Sequence, residues 1–261
     1  MSEKLIELLM SWGINERLAT SQVEYLAGYT VPFAIWETIY TTVLATLFAY
    51  VIGLPLGIIL VTGEKGGVRP LPGWLMKVLN TLVNLLRSVP FLILMVMVIP
   101  LSRMILGTSV GTTASIIPLI CAAFPFVARL VEASLRETDK GILEAAQAMG
   151  CTPMQVIRKV MLPEALPSLL IGFTTAFITI LSYGAMSGAI GGGGLGSLAI
   201  NYGYQRKMYF ILYVSVVILV VMVQVFQSLG THFAVALDRR VTNKRGKSAR
   251  KAHRGEKAGL Q

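Results

Sequence analysis

Residues 38–63 read TIYTTVLATLFAYVIGLPLGIILVTG, a run of 26 residues without Asp, Glu, Lys or Arg. A helix needs roughly 20 apolar residues to cross the hydrocarbon core of a bilayer. A second uncharged run, MYFILYVSVVILVVMVQVFQSLGTHFAVAL, occupies the 30 residues 208–237. Both runs therefore predict membrane-spanning helices rather than helices buried in a soluble core.

The composition of the whole chain supports this interpretation. Of its 261 residues, 54% are hydrophobic and only 14% are charged, with a mean hydropathy of +0.69, whereas soluble domains carry about a quarter charged residues. Internal prolines do not exclude a span, because neighbouring helices can satisfy the freed carbonyl groups. We predict an all-α membrane protein with five transmembrane helices. Their expected ranges are 34–62, 75–101, 108–136, 167–190 and 208–237.

The distribution of Lys and Arg predicts the orientation of these spans, because cytoplasmic loops are enriched in basic residues. One side of the membrane receives three basic residues in 63–77, five in 129–166 and nine in 238–261. The opposite side has five in all. The N-terminus is therefore expected outside the cell and the C-terminus in the cytoplasm.

Both ends of the chain lie outside the predicted membrane domain, residues 34–237. Residues 1–33 are expected to form an extracytoplasmic arm, with an amphipathic helix at the membrane surface and a partly ordered arm as alternatives. The apolar face of such a helix would consist of Leu5, Leu8, Leu9 and Trp12. Residues 238–261 are expected to be a basic cytoplasmic tail that contacts anionic lipid. We prefer this interpretation to nucleic-acid binding, which the net charge of +10 would also permit.

Residues 137–166, between the third and fourth predicted spans, carry signals for a first short helix. Asp139 is suited to cap its start, and Gly150 is suited to the left-handed conformation that ends a helix. Apolar residues recur at helical spacing, namely Ile142, Ala145, Ala146 and Met149. Two interpretations stay open on this pattern alone: docking against a partner surface, or packing on the chain's own helices.

The same segment carries signals for a second helix. Thr152 is suited to cap it, and Pro153 would occupy its first position, where a missing N–H costs nothing. We expect Leu162 and Pro163 to stop this helix before the fourth span begins.

The stretch EAAQAMG at 144–150, followed after nine residues by VMLP at 160–163, resembles the EAA motif of binding-protein-dependent ABC importer permeases. That motif is Glu-Ala-Ala, three residues, Gly, nine residues and Ile-x-Leu-Pro, and Val160 stands where the isoleucine is usual. The resemblance implies a type I importer permease whose cytoplasmic coupling helix docks into a cleft of a separate ATPase. The residues that it assigns to ATPase coupling are Glu144, Ala145, Ala146, Met149, Gly150, Leu162 and Pro163.

Five further stretches are similar to the permeases of methionine importers. They are RSVPF at 87–91, GTSVG at 107–111, FPFVARLVE at 124–132, TPMQVIRKVMLPEALP at 152–167 and GGGGLGSLAINYGY at 191–204. The resemblance implies a permease for L- or D-methionine in a bacterial inner membrane, with another amino acid or a small organic anion as alternatives. It also implies a second copy of the chain, an ATPase that binds ATP and Mg²⁺, and an extracytoplasmic binding protein. The chain itself would hold no catalytic site and no cofactor.

Three residues of the fourth span are candidates for the translocation pathway: Tyr183, Met186 and Ser187. An apolar side chain such as Met186 can close a pore by excluding water, although packing through small residues explains the same pattern. Arg129 and Glu132 share one helical face and are expected to form an ion pair. For Arg87 we prefer structural support over a place in the pathway.

Several other functions are disfavoured by the sequence. Gly191, Gly193 and Gly196 have the spacing of a dinucleotide fingerprint, but they follow a membrane span instead of a strand. A tight turn or re-entrant segment is the better interpretation. The run Gly246-Lys247-Ser248 lacks the earlier glycine of a phosphate-binding loop, so we do not expect it to bind ATP. Few acidic residues lie in the spans, which disfavours an ion-coupled carrier or channel, and two His with two Cys make a metal site improbable.

Overall fold

The computed structural model describes residues 2–11, 14–27 and 30–237. Within these residues, four helical stretches are long and apolar enough to cross a membrane: Thr30–Thr62, Thr112–Arg136, Pro153–Ile190 and Tyr209–Leu237. A bent pair, Gly73–Ser88 and Phe91–Leu106, adds a fifth when it is counted as one broken span. The predicted all-α membrane fold is confirmed, and its second span is interrupted.

The α-helices are numbered in chain order. They are α1 (Ser2–Ser11), α2 (Glu16–Ala27), α3 (Thr30–Thr62), α4 (Gly73–Ser88), α5 (Phe91–Leu106), α6 (Thr112–Arg136), α7 (Lys140–Ala148), α8 (Pro153–Gln155), α9 (Leu162–Ser187), α10 (Gly194–Ser197) and α11 (Tyr209–Leu237). Two π-helical segments, Val156–Met161 and Leu198–Gln205, and a 3₁₀ turn, Gly188–Ile190, connect some of them.

The expectation that 75–101 forms one continuous helix is wrong. Helices α4 and α5 meet at an angle of 108°. Pro90 provides the physical reason, because a proline disfavours the helical conformation of the residue before it and cannot donate a backbone hydrogen bond. Accordingly Val89 is extended, with φ −79° and ψ 126°, and the Pro90 carbonyl accepts the Leu94 N–H of the next helix at 3.0 Å.

The centre of the molecule is the packing of α3 against α6. Ala45 and Ala49 of α3 and Ala123 of α6 are fully buried in one apolar cluster. Gly57 lies so close to α6 that an added Cβ would be 2.6 Å from the Ala128 carbonyl oxygen. Small residues bring membrane helices into close contact in this way, so the pair forms a tightly packed core.

The expectation that Leu162 and Pro163 stop a helix is also wrong. Helical structure continues from Pro153 to Ile190, so the fourth span does not begin afresh at residue 167. The π-helical segment before Pro163 explains the continuity, since the Leu162 N–H bonds to the Ile157 carbonyl, five residues back. We infer that the wider turn accommodates the proline ring, which in an α-helix clashes with the carbonyl four residues earlier.

The N-terminal residues form two helices that pack on the start of α11. Leu9, Ala19 and Val23 are buried in a small cluster that also contacts Phe210. Of the residues expected on a single apolar face, Leu9 is buried, whereas Leu8 is exposed. Trp12, the side chain of Leu5 and the basic tail 238–261 lie outside the described residues.

Candidate coupling segment and translocation pathway

The first helix of the 137–166 segment is built as its sequence predicts. The Asp139 side chain caps α7 by accepting the Gly141 N–H at 2.7 Å. The helix ends at Gly150, whose φ of +80° is the left-handed conformation that favours glycine. The Gly150 N–H donates to the Gln147 carbonyl at 2.9 Å. Both cap predictions are confirmed.

The start of the second helix is confirmed as well. Thr152 is its N-cap and Pro153 occupies the first turn. The Gln155 side chain reaches back and accepts the Thr152 N–H at 2.8 Å, which completes a capping box. The two caps fix the angle between α7 and the following helix.

Helix α7 has one face on the protein and one face exposed. Ala146 is buried, in the same apolar cluster as Val156, Ile157 and Met161. Around Ala146 lie exposed residues of α7, of the turn at Gly150 and of α8. We call them the coupling face, after the role that the resemblance implies: Ile142, Glu144, Ala145, Met149, Gly150 and Met154. Met149 is 78% exposed. Ala146 therefore packs on the chain's own helices, and docking of its exposed neighbours against a partner stays a prediction.

The remaining residues assigned to ATPase coupling lie elsewhere. Leu162 packs against the central apolar cluster, and Pro163 is exposed on the helix that continues into α9. The structure thus places four of the seven assigned residues, Glu144, Ala145, Met149 and Gly150, on the coupling face. It does not bring Ala146, Leu162 or Pro163 onto that face.

A polar network holds the end of α6 that leads to this segment. Arg129 bonds to Glu132 at 2.5 Å, which confirms the predicted ion pair. The same guanidinium donates to the Asn80 and Asn84 side-chain oxygens of α4, each at 2.9 Å. Buried charge in a membrane helix requires such partners, and here they tie α4 to α6.

A second arginine extends the network to the loop after α3. Arg136 donates to Glu132 at 2.8 Å and to Glu64 at 2.5 and 3.1 Å. Glu132 therefore lies between two guanidinium groups. The arrangement fixes three elements, α3, α4 and α6, just before the chain enters α7.

The three pathway candidates have different surroundings. Met186 is 47% exposed and lines a cavity of about 490 Å³ between α9, α10 and α11. Tyr183 stacks on Phe91, with ring centroids 4.3 Å apart. Ser187 is buried, and its hydroxyl donates to the Gly184 carbonyl at 2.6 Å. Met186 and Tyr183 therefore remain candidates for contact with a substrate, whereas Ser187 contributes to helix packing.

The glycine-rich stretch forms the tight turn that its sequence predicts. Gly191 and Gly194 both have left-handed φ values, +92° and +75°. A Cβ added to Gly196 would overlap the backbone of Ala185, so the chain after the turn packs directly on α9. Within the described residues, the element before this turn is α9, a membrane-spanning helix, whereas a dinucleotide fingerprint requires a strand there.

Glu37 is a site residue that the sequence reasoning missed. One oxygen of its carboxylate accepts a hydrogen bond from the Thr112 hydroxyl, and the other accepts the Gly194 N–H at 2.9 Å. The adjacent Thr38 hydroxyl accepts the Leu195 N–H, also at 2.9 Å. We call this group of bonds the Glu37 clasp. The available signal was an acid inside the predicted span 34–62, immediately before the uncharged run 38–63, because such residues are rarely placed without a function.

A smaller cavity, of about 250 Å³, lies at the break between α4 and α5. Arg87 lines it together with Phe91, Phe126 and Tyr183. Among the residues that the structure describes, no group of three or more His, Cys, Asp or Glu side chains is arranged to hold a metal ion.

The chain is thus a bundle of membrane-spanning helices with an exposed helix at one end and a cavity at its broken span. The chain belongs to the binding-protein-dependent transport system inner membrane components, the family whose model matches residues 53–243. This confirms the resemblance to importer permeases and makes the chain a multi-pass inner-membrane component.

Named relatives place the chain within this family. It is 50% identical, over 79% of its length, to the probable D-methionine transport system permease protein of Vibrio cholerae, of which the match covers 92%. It is 46% identical to the D-methionine permease protein of Escherichia coli K12, over 59% of this chain and 70% of that one. A solved inward-facing structure of a methionine ABC transporter matches with a TM-score of 0.76 and 43% identity, over 78% of this chain and 94% of that chain.

Proposed function

We propose that this chain is the membrane-spanning permease subunit of an ATP-driven importer of methionine, in the L and D forms. The coupling face carries the proposal. Its apolar side chains are exposed. The helix that carries them is capped and is held to the rest of the chain by the buried Ala146. The identity of half of the aligned residues with a named D-methionine permease supports the choice of substrate.

The partner for the coupling face is a separate ATPase that binds ATP and Mg²⁺. Burial of Met149 and Ile142 in a cleft would stabilise the contact by about 1.5–3 kcal/mol for each side chain fully removed from water. Glu144 adds a charge to the same surface. Gly150 leaves open space beside the helix end, since an added Cβ would meet nothing within 4 Å.

The permease works as two copies, served by an extracytoplasmic binding protein. ATP binding and hydrolysis move the coupling face. The movement reaches the glycine-rich turn through the continuous helix from Pro153 to Ile190. The pathway between the copies then opens alternately to the two sides, and Met186 narrows it by excluding water. This chain positions and releases the substrate and performs no covalent chemistry.

The exposed basic residues favour an orientation with the coupling face in the cytoplasm. Lys65, Arg69 and Lys140 lie at the same end of the bundle as Arg136 and Glu64, which are joined by hydrogen bonds. Basic loops remain on the cytoplasmic side of a membrane. Helices α1 and α2 then lie outside the cell.

The proposal is tested by transport in proteoliposomes that contain the permease, its ATPase and its binding protein. We expect accumulation of labelled L- and D-methionine that requires ATP. Uptake of another amino acid or of an organic anion, without methionine uptake, would contradict the substrate. Methionine flux without ATP or an ATPase would instead indicate an autonomous channel or carrier.

A further inference from the structure

The cavity at the break between α4 and α5 combines one cation with aromatic walls. The Arg87 side chain lines it at the C-terminal end of α4, and Phe91 and Phe126 line it from α5 and α6. Tyr183 of α9 completes the wall and stacks on Phe91, with 6° between the ring planes. Four helices therefore converge on one small space.

The cavity lies well along the membrane-spanning helices from the end of the bundle that leads to α7. The Ser134 and Ser168 hydroxyls bond at 3.1 Å, which sets α6 and α9 at a common level. Ala122 of the cavity wall is twelve residues from Ser134 along α6. Tyr183 is fifteen residues from Ser168 along α9. At 1.5 Å per residue these distances are about 18 and 22 Å, more than half of a hydrocarbon core of roughly 30 Å.

Arg87 lacks a charged partner at this depth. Within the residues that the structure describes, ion pairs involve Arg129 and Arg136 and not Arg87. Arg87 is exposed on the single chain, and an unpaired cation along a membrane span is costly and often functional. Its natural partner is an anionic group on a transported molecule, because guanidinium binds a carboxylate with two parallel hydrogen bonds.

The broken helix supplies the opposite charge. The last carbonyls of a helix have no intrahelical partners and form the negative end of its dipole. Helix α4 ends here at Ser88, and the extended Val89 interrupts the backbone. Interrupted membrane helices use such ends to bind charged substrate groups and ions. Arg87 and the C-terminal end of α4 therefore lie at one place, with opposite charges that match the two charges of an amino acid.

We propose that this cavity is a binding site for the zwitterionic head and apolar side chain of an α-amino acid during translocation. Arg87 binds the carboxylate, the α4 carbonyls accept hydrogen bonds from the ammonium group, and the aromatic walls contact the side chain. A thioether suits these walls, since sulfur interacts favourably with aromatic rings. The volume of about 250 Å³ is smaller than sites for drug-sized ligands and limits the ligand to one small molecule.

This inference rests on the proposed function and is tested in the same reconstituted complex, with saturating binding protein and labelled methionine. We compare Arg87→Gln and Arg87→Lys with Arg103→Gln, which changes an exposed arginine at the other end of α5. Arg87→Gln should lower uptake on the order of tenfold or more, the size expected for losing hydrogen bonds to a charged group. Arg87→Lys should recover part of the lost uptake, because lysine keeps the charge but not the two parallel hydrogen bonds. Arg103→Gln should match the original protein.

Copurification of the ATPase measures assembly for each variant. The proposal is supported when Arg87→Gln assembles normally, loses uptake and is partly rescued by lysine. Unchanged uptake by Arg87→Gln would overturn it. Loss of assembly in both Arg87 variants would also overturn it, because Arg87 would then support the dimer. The original protein serves as the separate test of substrate: if it takes up only another amino acid, the Arg87 comparison is made with that compound.

Discussion

One carboxylate joins three elements at the end of the bundle opposite the coupling face. Glu37 comes from α3, Thr112 begins α6, and Gly194 follows the glycine-rich turn. A second bond, from the Gly111 N–H to the Gly191 carbonyl at 2.8 Å, reinforces the same junction. The Glu37 clasp therefore holds the turn that follows Met186 against α3 and α6.

Replacing Glu37 with alanine should destabilise the folded permease. The Thr112 hydroxyl and the Gly194 N–H would lose their acceptor, and an unsatisfied buried polar group costs about 1–3 kcal/mol. The thermal unfolding midpoint of the purified complex should fall for Glu37→Ala. Glu24→Ala, which changes an exposed acid on α2, should leave it unchanged. Equal midpoints for the two variants would show that the clasp contributes nothing to stability.

Residue-scale features could be predicted from sequence where their partners are close in the chain. The Asp139 cap, the Thr152 capping box and the left-handed Gly150 each depend on residues a few positions away. The Arg129–Glu132 pair is three residues apart. Glu37 could not be placed in the same way, because the Gly194 N–H that it binds is 157 residues distant.

At the scale of elements, the coupling segment is a short helix between two fixed caps. Gly150 ends this helix with φ +80°, and Gly66, in the loop after α3, has φ +83°. An added Cβ would meet nothing within 4 Å at either position. The two glycines thus impose a similar local cost on any replacement, about 1–2 kcal/mol for a left-handed residue.

Gly150→Asp and Gly66→Asp form a matched pair that separates partner contact from local strain. We expect Gly150→Asp to lower ATP-driven methionine uptake on the order of tenfold, because it places bulk and charge in a docked surface without a partner. Gly66→Asp should transport nearly as well as the original protein. Uptake is measured at equal membrane expression. Similar defects in both variants would remove the evidence for docking at Gly150.

The errors of the sequence interpretation also concern elements. Pro90 divides a predicted span, whereas Pro163 does not stop a helix. Both prolines follow local rules, but the second is preceded by the π-helical segment Val156–Met161, whose packing against the central cluster the sequence does not reveal. The glycine-rich turn was predictable, because its glycines supply conformations that other residues rarely adopt.

At the scale of the whole molecule, the two ends of the bundle differ in charge and in purpose. The end with the 63–72 loop and α7 carries the coupling face and more of the exposed basic residues than the other end does. The other end carries the Glu37 clasp and the packed helices α1 and α2. Under the rule for basic loops, we propose that the first end faces the cytoplasm.

Single cysteines at the two ends should report this orientation. In a Cys121→Ala, Cys151→Ala background, Thr108→Cys should react with an impermeant thiol reagent in intact cells, whereas Pro70→Cys should not. Both positions are exposed, so accessibility differs only through the membrane. After cell lysis both should react. Labelling of Pro70→Cys but not Thr108→Cys in intact cells would reverse the orientation.

The continuous helix through Pro163 would transmit a movement of one end of the bundle to the other. Its 38 residues, Pro153–Ile190, extend about 57 Å at 1.5 Å per residue. A tilt of about 5° at the ATPase end would shift the far end by roughly 5 Å, close to the pitch of one helical turn. A helix that ended at Pro163 would absorb such a tilt in a flexible joint. In the proposed mechanism the continuous helix would carry the tilt to Met186 and the glycine-rich turn, so that a small rotation at the ATPase end would become a displacement of several ångströms at the proposed gate.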